Sequence, residues 1–153
     1  MIAAAQLSEL VGRDVGVSDW IEVSQPLIDR FADTTMDRHF IHVEPRRAGL
    51  TRFAGTIAHG FLSLSLLTYM SRDILPRIEN EDVSLNYGLN RLRFPSPVRA
   101  GERIRGRFVL GGVEERSGGQ LLQSYDVTVE IEGGERPALV ARWLVLTILR
   151  ASA

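Results

Sequence analysis

Residues 37 to 42 read DRHFIH, with an aspartate and a histidine five positions apart and a second histidine, His39, between them. A carboxylate and an imidazole presented together can hold one water, the carboxylate accepting its proton and the imidazole fixing or relaying it. Asp37 and His42 are therefore candidates for an acid/base couple. The same spacing also serves as a plain hydrogen bond in a loop, the commoner use of a histidine beside an aspartate. The chain has three histidines, and two of them fall in this hexapeptide. A metal site needs at least three ligands in suitable geometry. His39, His42 and Glu44 form the one spacing that suggests such a set, and no metal is expected.

IAHGF, at 57 to 61, is the second feature. Gly60 opens an apolar stretch that reads as a helix, where backbone N–H groups lack partners and the dipole is positive. A carbonyl oxygen gaining negative charge could be received there. A glycine chosen for tight packing as the chain enters the core explains the residue equally well. His59, just before it, is expected to satisfy buried backbone groups.

The third feature, RLRFPSPVRAGERIRGR at 91 to 107, has six arginines and one acid, Glu102. Arg91 and Arg93 share one strand face, as do Arg103, Arg105 and Arg107. Such a face would suit the phosphates of coenzyme A. Asp126, Glu130 and Glu132 have the parity to neutralise it across a sheet, and the solvated ion-pair face is the preferred reading. Phosphate binding is kept for a subset of the arginines, Arg93 among them.

The elements that must position these residues come from a chain of 153 residues, the size of one domain with a real core. Residues 1–153 are expected to form a single domain. A 44% hydrophobic and 24% charged composition is ordinary for a globular protein, and a net charge of −1 offers no global attraction to nucleic acid or anionic lipid. Cysteine is absent, which excludes disulfides, thiolate zinc sites and a cysteine nucleophile. All 18 basic residues are arginine, so Schiff-base and P-loop lysine chemistry are excluded too. The N-terminus lacks a basic, apolar leader pattern. The uncharged stretch 53 to 71 is broken by His59 and by serines, so it reads as a core helix rather than a membrane span. No membrane or nucleic-acid partner is expected, and the cytoplasm is the default location.

A short strand is predicted at 20–23, then a helix capped by Ser24 with Pro26 in its first turn, ending near Thr35. A helical turn follows Pro45. The apolar stretch predicts one helix over 59–75, buried nearly all round. Four long β-branched segments, 83–94, 102–115, 120–132 and 138–149, predict an antiparallel meander, and Gly pairs at 111–112, 118–119 and 133–134 look like turns. The sum is an α+β fold, an antiparallel sheet wrapped around a long central helix: the hotdog architecture.

The stretches FADTTMDRHFIHVEPRRAG and FAGTIAHGFLSLSLL, followed by NYGLNRLRFPSPVRAGERIRGRF, resemble the MaoC-like dehydratase family, most closely its nodulation protein N-like branch. The resemblance implies reversible (R)-specific hydration of trans-2-enoyl-CoA, with no cofactor. Asp37 and His42 match the residues that bind and activate water; Gly60 matches the one whose N–H receives the thioester oxygen. His39 and Phe40 stand where relatives commonly have Asn-Pro, and Met36 where they commonly have glycine. His39 can still donate a hydrogen bond in place of asparagine. His39 and His59 are taken as substrate-binding. Thr68 stands where some relatives carry an assisting hydroxyl, and Asn86 and Tyr87 either line the pocket or close a strand. A homodimer with paired sheet edges is implied, which would also cover an exposed edge strand. The alternatives are a hotdog acyl-CoA thioesterase, disfavoured because 60 to 71 contains no acid, and a non-catalytic acyl-thioester binding protein.

Overall fold

The β-branched second half forms four long antiparallel strands, and the polar-apolar alternation of three of them decides which face meets the helices. The computed structural model describes residues 1–150. The elements in order are α1 (Ala4–Ser8), β1 (Asp14–Val17), β2 (Ile21–Glu22), α2 (Gln25–Thr35), α3 (Phe40–Val43) and α4 (Pro45–Ala48). Then come α5 (Gly60–Ser65), α6 (Leu67–Ser71), β3 (Glu81–Arg93), β4 (Arg103–Arg116), β5 (Gln120–Ile131) and β6 (Leu139–Leu149). One sheet carries the strands in the order β1-β4-β5-β6-β3, with β2 also pairing β4. The hotdog fold class is as predicted, with the helices on one face of an antiparallel sheet.

The meander expectation is corrected at its first strand. β4, β5 and β6 are sequential neighbours, but β3 pairs with β6 at the far edge. The connection after β3 contains Pro95 and Pro97, which cannot continue a ladder, and it is long enough to cross to the other side of the sheet. On the way it pairs with the segment before α5: Ala58 donates to the Val98 carbonyl at 2.7 Å and Ala100 to that of Thr56 at 3.0 Å.

The expected 59–75 helix is two short helices joined at Leu66, and it is not buried all round. Leu62, Leu67 and Met70 are buried against the sheet, whereas Phe61, Ser65, Thr68 and Tyr69 are exposed. The hydroxyls explain part of the break. Ser65 Oγ donates to the Phe61 carbonyl at 2.7 Å and Ser71 Oγ to that of Thr68 at 3.1 Å, competing with the helical ladder. Leu66 stays in the right-handed helical region (φ −72°, ψ −12°), so Gly60 to Ser71 remains one direction of travel.

The core lies between this helical run and the inward residues of β4, β5 and β6, among them Phe108, Tyr125 and Trp143. Gly106 makes the close fit possible: a Cβ there would stand 2.9 Å from the Phe108 ring and 3.2 Å from Met70 Sδ. The helix after Ser24 is confirmed as α2, but Ser24 makes no side-chain cap. β1, a four-residue strand that contains Gly16, was not predicted. Among the described residues, no helix is long and apolar enough to cross a membrane.

Candidate active site

α2 ends on Met36, which takes the left-handed conformation (φ 61°, ψ 15°) that turns the chain sharply into Asp37. Left-handed geometry costs a residue with a Cβ roughly 1–2 kcal/mol, which fits the glycine that the family resemblance implies at this position. The turn leaves Asp37 exposed and brings His42 back into the protein on α3. His42 is buried, and its Nδ1 lies 2.7 Å from the Ile57 carbonyl oxygen. A carbonyl can only accept, so the ring proton sits on Nδ1 and the Nε2 lone pair is free for chemistry.

His59 caps α5 and is 4% exposed. Its Nε2 donates to the Asp37 backbone carbonyl at 2.8 Å and lies 3.9 Å from the Asp37 carboxylate. The expected role of satisfying a buried backbone group is thus seen, and the group it satisfies belongs to Asp37 itself. With the proton on Nε2, the His59 Nδ1 lone pair is buried without a partner. The His42 and His59 rings stack, with centroids 3.7 Å apart and planes inclined by 23°. Burial holds His42 below the ordinary imidazole value of 6.5; the hydrogen bond to Ile57 opposes this, and His59 adds to it. A buried, neutral imidazole is a base at physiological pH.

Asp37, His42 and His59 each place one ligand atom within 4.8 Å of the other two. That spacing leaves room for one water bonded to the carboxylate and to an imidazole. It also satisfies the distance requirement for a cation, but the stacked rings cannot place an ion in the plane of both imidazoles at once, a poor arrangement for zinc. The His39, His42 and Glu44 set suggested by spacing does not form. His39 is exposed beside Phe40, and Glu44 pairs with Arg47 at 3.5 Å.

Gly60 is the first residue of α5, so its N–H has no acceptor within the helix. It shares with His42 a cavity of about 280 Å³ lined also by Phe53, Phe94 and Pro97. A Cβ on Gly60 would come within 3.0 Å of the Phe94 ring, so the backbone is approached as closely as only glycine allows. Thr68 lies further along the helix, and its Oγ1 accepts a hydrogen bond from Asn86 Nδ2 at 3.4 Å. Tyr87 and Arg93 are not brought to this cluster. The register of β3 shifts between Asn86 and Gly88, and the Tyr87 ring lies under the Arg116 guanidinium at 5.4 Å. Arg93 is exposed and donates to the neighbouring Leu92 carbonyl.

One positioning residue had no sequence signal. Gln25, at the start of α2, donates to the His42 carbonyl at 2.8 Å and to Asp29, and accepts from the Thr56 hydroxyl. It ties α2, α3 and the segment before α5 into one frame. A glutamine just inside a helix start carries no chemistry of its own, and its partners outside α2 lie 17 and 31 positions away.

The MaoC like domain family matches residues 6–131. Nodulation protein N of Rhizobium leguminosarum bv. viciae is 49% identical over 146 residues, 95% of this chain and 91% of that protein. The 3-hydroxyacyl-thioester dehydratase Z of Mycobacterium tuberculosis is 41% identical over 143 residues, 94% of each chain. Among solved structures, the MaoC-like dehydratase from Rhodospirillum rubrum matches with a TM-score of 0.79 at 16% identity, over 99% of this chain and 100% of that one. The (R)-hydratase from A. caviae involved in PHA biosynthesis matches with a TM-score of 0.70 at 22% identity, over 92% and 96%. The structural matches speak for the fold, while the family match and the sequence relatives cover most of the chain: it belongs to the MaoC-like dehydratase family.

Proposed function

We propose that the chain adds water reversibly to trans-2-enoyl thioesters of coenzyme A, giving (R)-3-hydroxyacyl thioesters. The observation that carries this reading is the meeting of His42 and the free N–H end of α5 at one small cavity, with an Asp37 carboxylate oxygen within 4.8 Å of a His42 ring nitrogen. Water held between the Asp37 carboxylate and His42 Nε2 bonds through its oxygen to C3. The pair takes up the proton that the water loses, the Gly60 N–H receives the enolate-like oxygen, and a proton returns to C2 as the carbonyl re-forms. One water enters and nothing leaves, so no cofactor is required. His59 acts as a positioning residue, because its hydrogen bond fixes the Asp37 backbone.

The helix facing the cavity, Gly60 to Ser71, has no carboxylate to serve a thioesterase, which supports hydration over hydrolysis. The unit is one domain over 1–153, active as a cytoplasmic homodimer. β3 is the terminal strand of the sheet, and Val83, Leu85, Tyr87 and Leu89 on it are exposed, as are Phe61 and Tyr69 on the helices. An edge strand of 13 residues carrying four exposed apolar side chains is an aggregation hazard unless a second copy pairs with it.

The test is the loss of enoyl-thioester absorbance with purified protein and crotonyl-CoA, with chiral analysis of the product and free thiol assayed in parallel. An (R)-3-hydroxyacyl product without thiol release is expected. Thiol release would replace the reading with a thioesterase, and silence on both channels with a binding role.

A further inference from the structure

Beyond the catalytic cavity, two more cavities follow the α5–α6 run. The second, about 340 Å³, lies between Leu64, Thr68 and Leu89; the third, about 730 Å³, lies between Ser71 and the floor formed by Trp143 and Thr147. From the first cavity to the third, helix positions rise from Gly60 to Arg72 while opposing positions fall from Phe94 to Glu81. The second and third therefore trace one groove between the helix and the β3–β6 edge, and the catalytic cavity lies at the Gly60 end of the same helical run. Thr68, Asn86 and Trp143 line both the second and the third cavity, so these two are contiguous. At ~1.5 Å per residue, Thr68 lies roughly 12 Å along the helix from Gly60, well past the reacting carbons of a thioester held there.

A groove for a plain hydrocarbon tail needs an apolar floor. The third cavity is lined largely by apolar groups such as Leu75, Ile78 and Val145, but polar side chains interrupt its floor beside Trp143. Gln123 and Thr147 line it and are 3% and 0% exposed. The Tyr125 hydroxyl donates to Gln123 Oε1 at 2.5 Å, and Gln123 Nε2 donates to Thr147 Oγ1 at 2.7 Å. The Thr147 and Ser84 hydroxyls lie 2.7 Å apart, and Ser84 donates to Glu81 at 2.8 Å. Since Ser84 gives its one hydrogen to Glu81, Thr147 must donate to Ser84. The chain runs one way, from Tyr125 to Glu81, and uses one of the two Gln123 N–H groups. The other has no partner among the described residues. Charges of both signs line this end of the groove, Arg72 and Arg77 with Glu81 and Asp82, so it offers no uniform field to a charged tail.

We propose that the acyl group handled by this protein carries a neutral oxygen, a hydroxyl or a carbonyl, on its tail beyond Thr68, and that Gln123 donates to it. The assignment rests on the hydratase reading and names the substrate class of the same site.

The experiment compares twelve-carbon trans-2-enoyl-CoA with its ω-hydroxy and ω-oxo counterparts, using wild-type protein and crotonyl-CoA as the reference reaction. A kcat/KM at least ~10-fold higher for the oxygenated esters is expected, since a site built to hydrogen-bond a substrate oxygen discriminates strongly against the analogue lacking it. Gln123→Leu should bring the oxygenated esters down to the level of the plain one. Equal or lower kcat/KM for the oxygenated esters in wild-type protein, with crotonyl-CoA still hydrated, would overturn this assignment alone and needs no variant to fold. A preference that survives in folded Gln123→Leu would also overturn it. Failure to hydrate any ester, crotonyl-CoA included, would overturn the hydratase reading and the assignment with it.

Discussion

The outer face of β4 and β5 and the pocket before α5 are both rich in ionisable groups, yet they treat them in opposite ways. On the outer face almost every charge has a partner. Arg105 and Arg107 both reach Glu130, at 2.7 and 3.1 Å; Arg107 also reaches Asp14, Arg103 reaches Glu132, and Arg142 makes two bonds to Asp126 at 2.8 Å. The Arg142 hydrogen bonds hold the Asp126 carboxyl below its ordinary value; burial alone would raise Glu130, but Arg105 and Arg107 outweigh it and hold that carboxyl low as well. In the pocket, by contrast, the His42 Nε2 and His59 Nδ1 lone pairs are left over, and one of them is buried with no partner. Matched charges at a surface stabilise weakly and do little else. Unmatched polar atoms beside a cavity are where chemistry can happen.

The contrast is broken most sharply at Asp37 and His42. Asp37→Asn and His42→Asn should each lower kcat/KM for crotonyl-CoA hydration by ~10²–10⁴-fold, the usual contribution of an acid/base group, with the circular dichroism spectrum unchanged. Near-wild-type turnover in either variant would remove that residue from the mechanism.

The acid side of the rate profile tests the same pocket more gently. Because His42 in the folded protein sits below 6.5, its base form should persist below that value, and kcat/KM should fall only at lower pH. The stability consequence has a fixed sign. Between the depressed folded value and 6.5 the unfolded chain binds more protons, so the His42 contribution is complete above about 6.5 and is lost as the pH falls. A melting series from neutral to acidic pH should show this loss in wild-type protein and less of it in His42→Asn.

Gly60→Ala places a Cβ 3.0 Å from the Phe94 ring. Displacing that ring should cost ~1–3 kcal/mol of stability and lower kcat, read by denaturant titration and by kinetics. Met36→Gly should act in the other direction, adding ~1 kcal/mol by relieving the left-handed backbone before Asp37, with turnover retained. The smallest effect belongs to the matched face: Arg105→Ala should change stability by ~0.2–1 kcal/mol and kcat/KM not at all. A large kinetic effect of Arg105→Ala would show that the two regions are not separate after all.

The strands and the helix starts were legible because their signals are local: side-chain period, β-branching, and proline or glycine at the ends. Gly118 and Gly119, both with φ near +70°, sit at the β4–β5 turn where a Gly pair marked one in the sequence, whereas the pair at 111–112 lies inside β4 at a register shift and makes no turn. The place of β3 was not legible, since nothing in its residues says which neighbour it will pair with. Which of Asn86 and Tyr87 faces the groove was open for a related reason: successive strand residues face opposite sides, and only the fold puts Asn86 against Thr68 and Tyr87 against Arg116.

The sequence by itself determined the chemistry available: one Asp–His motif, a glycine at a helix start, no cysteine and no lysine, and strands enough for one sheet. Those are properties of residue type and short spacing, which survive in any conformation of the chain. Only the tertiary structure decided that His59 holds the Asp37 backbone, that Gln25 braces His42, and that Gln123 and Thr147 floor the groove. Each of these depends on groups far apart in sequence brought within hydrogen-bond reach, and packing alone fixes such distances.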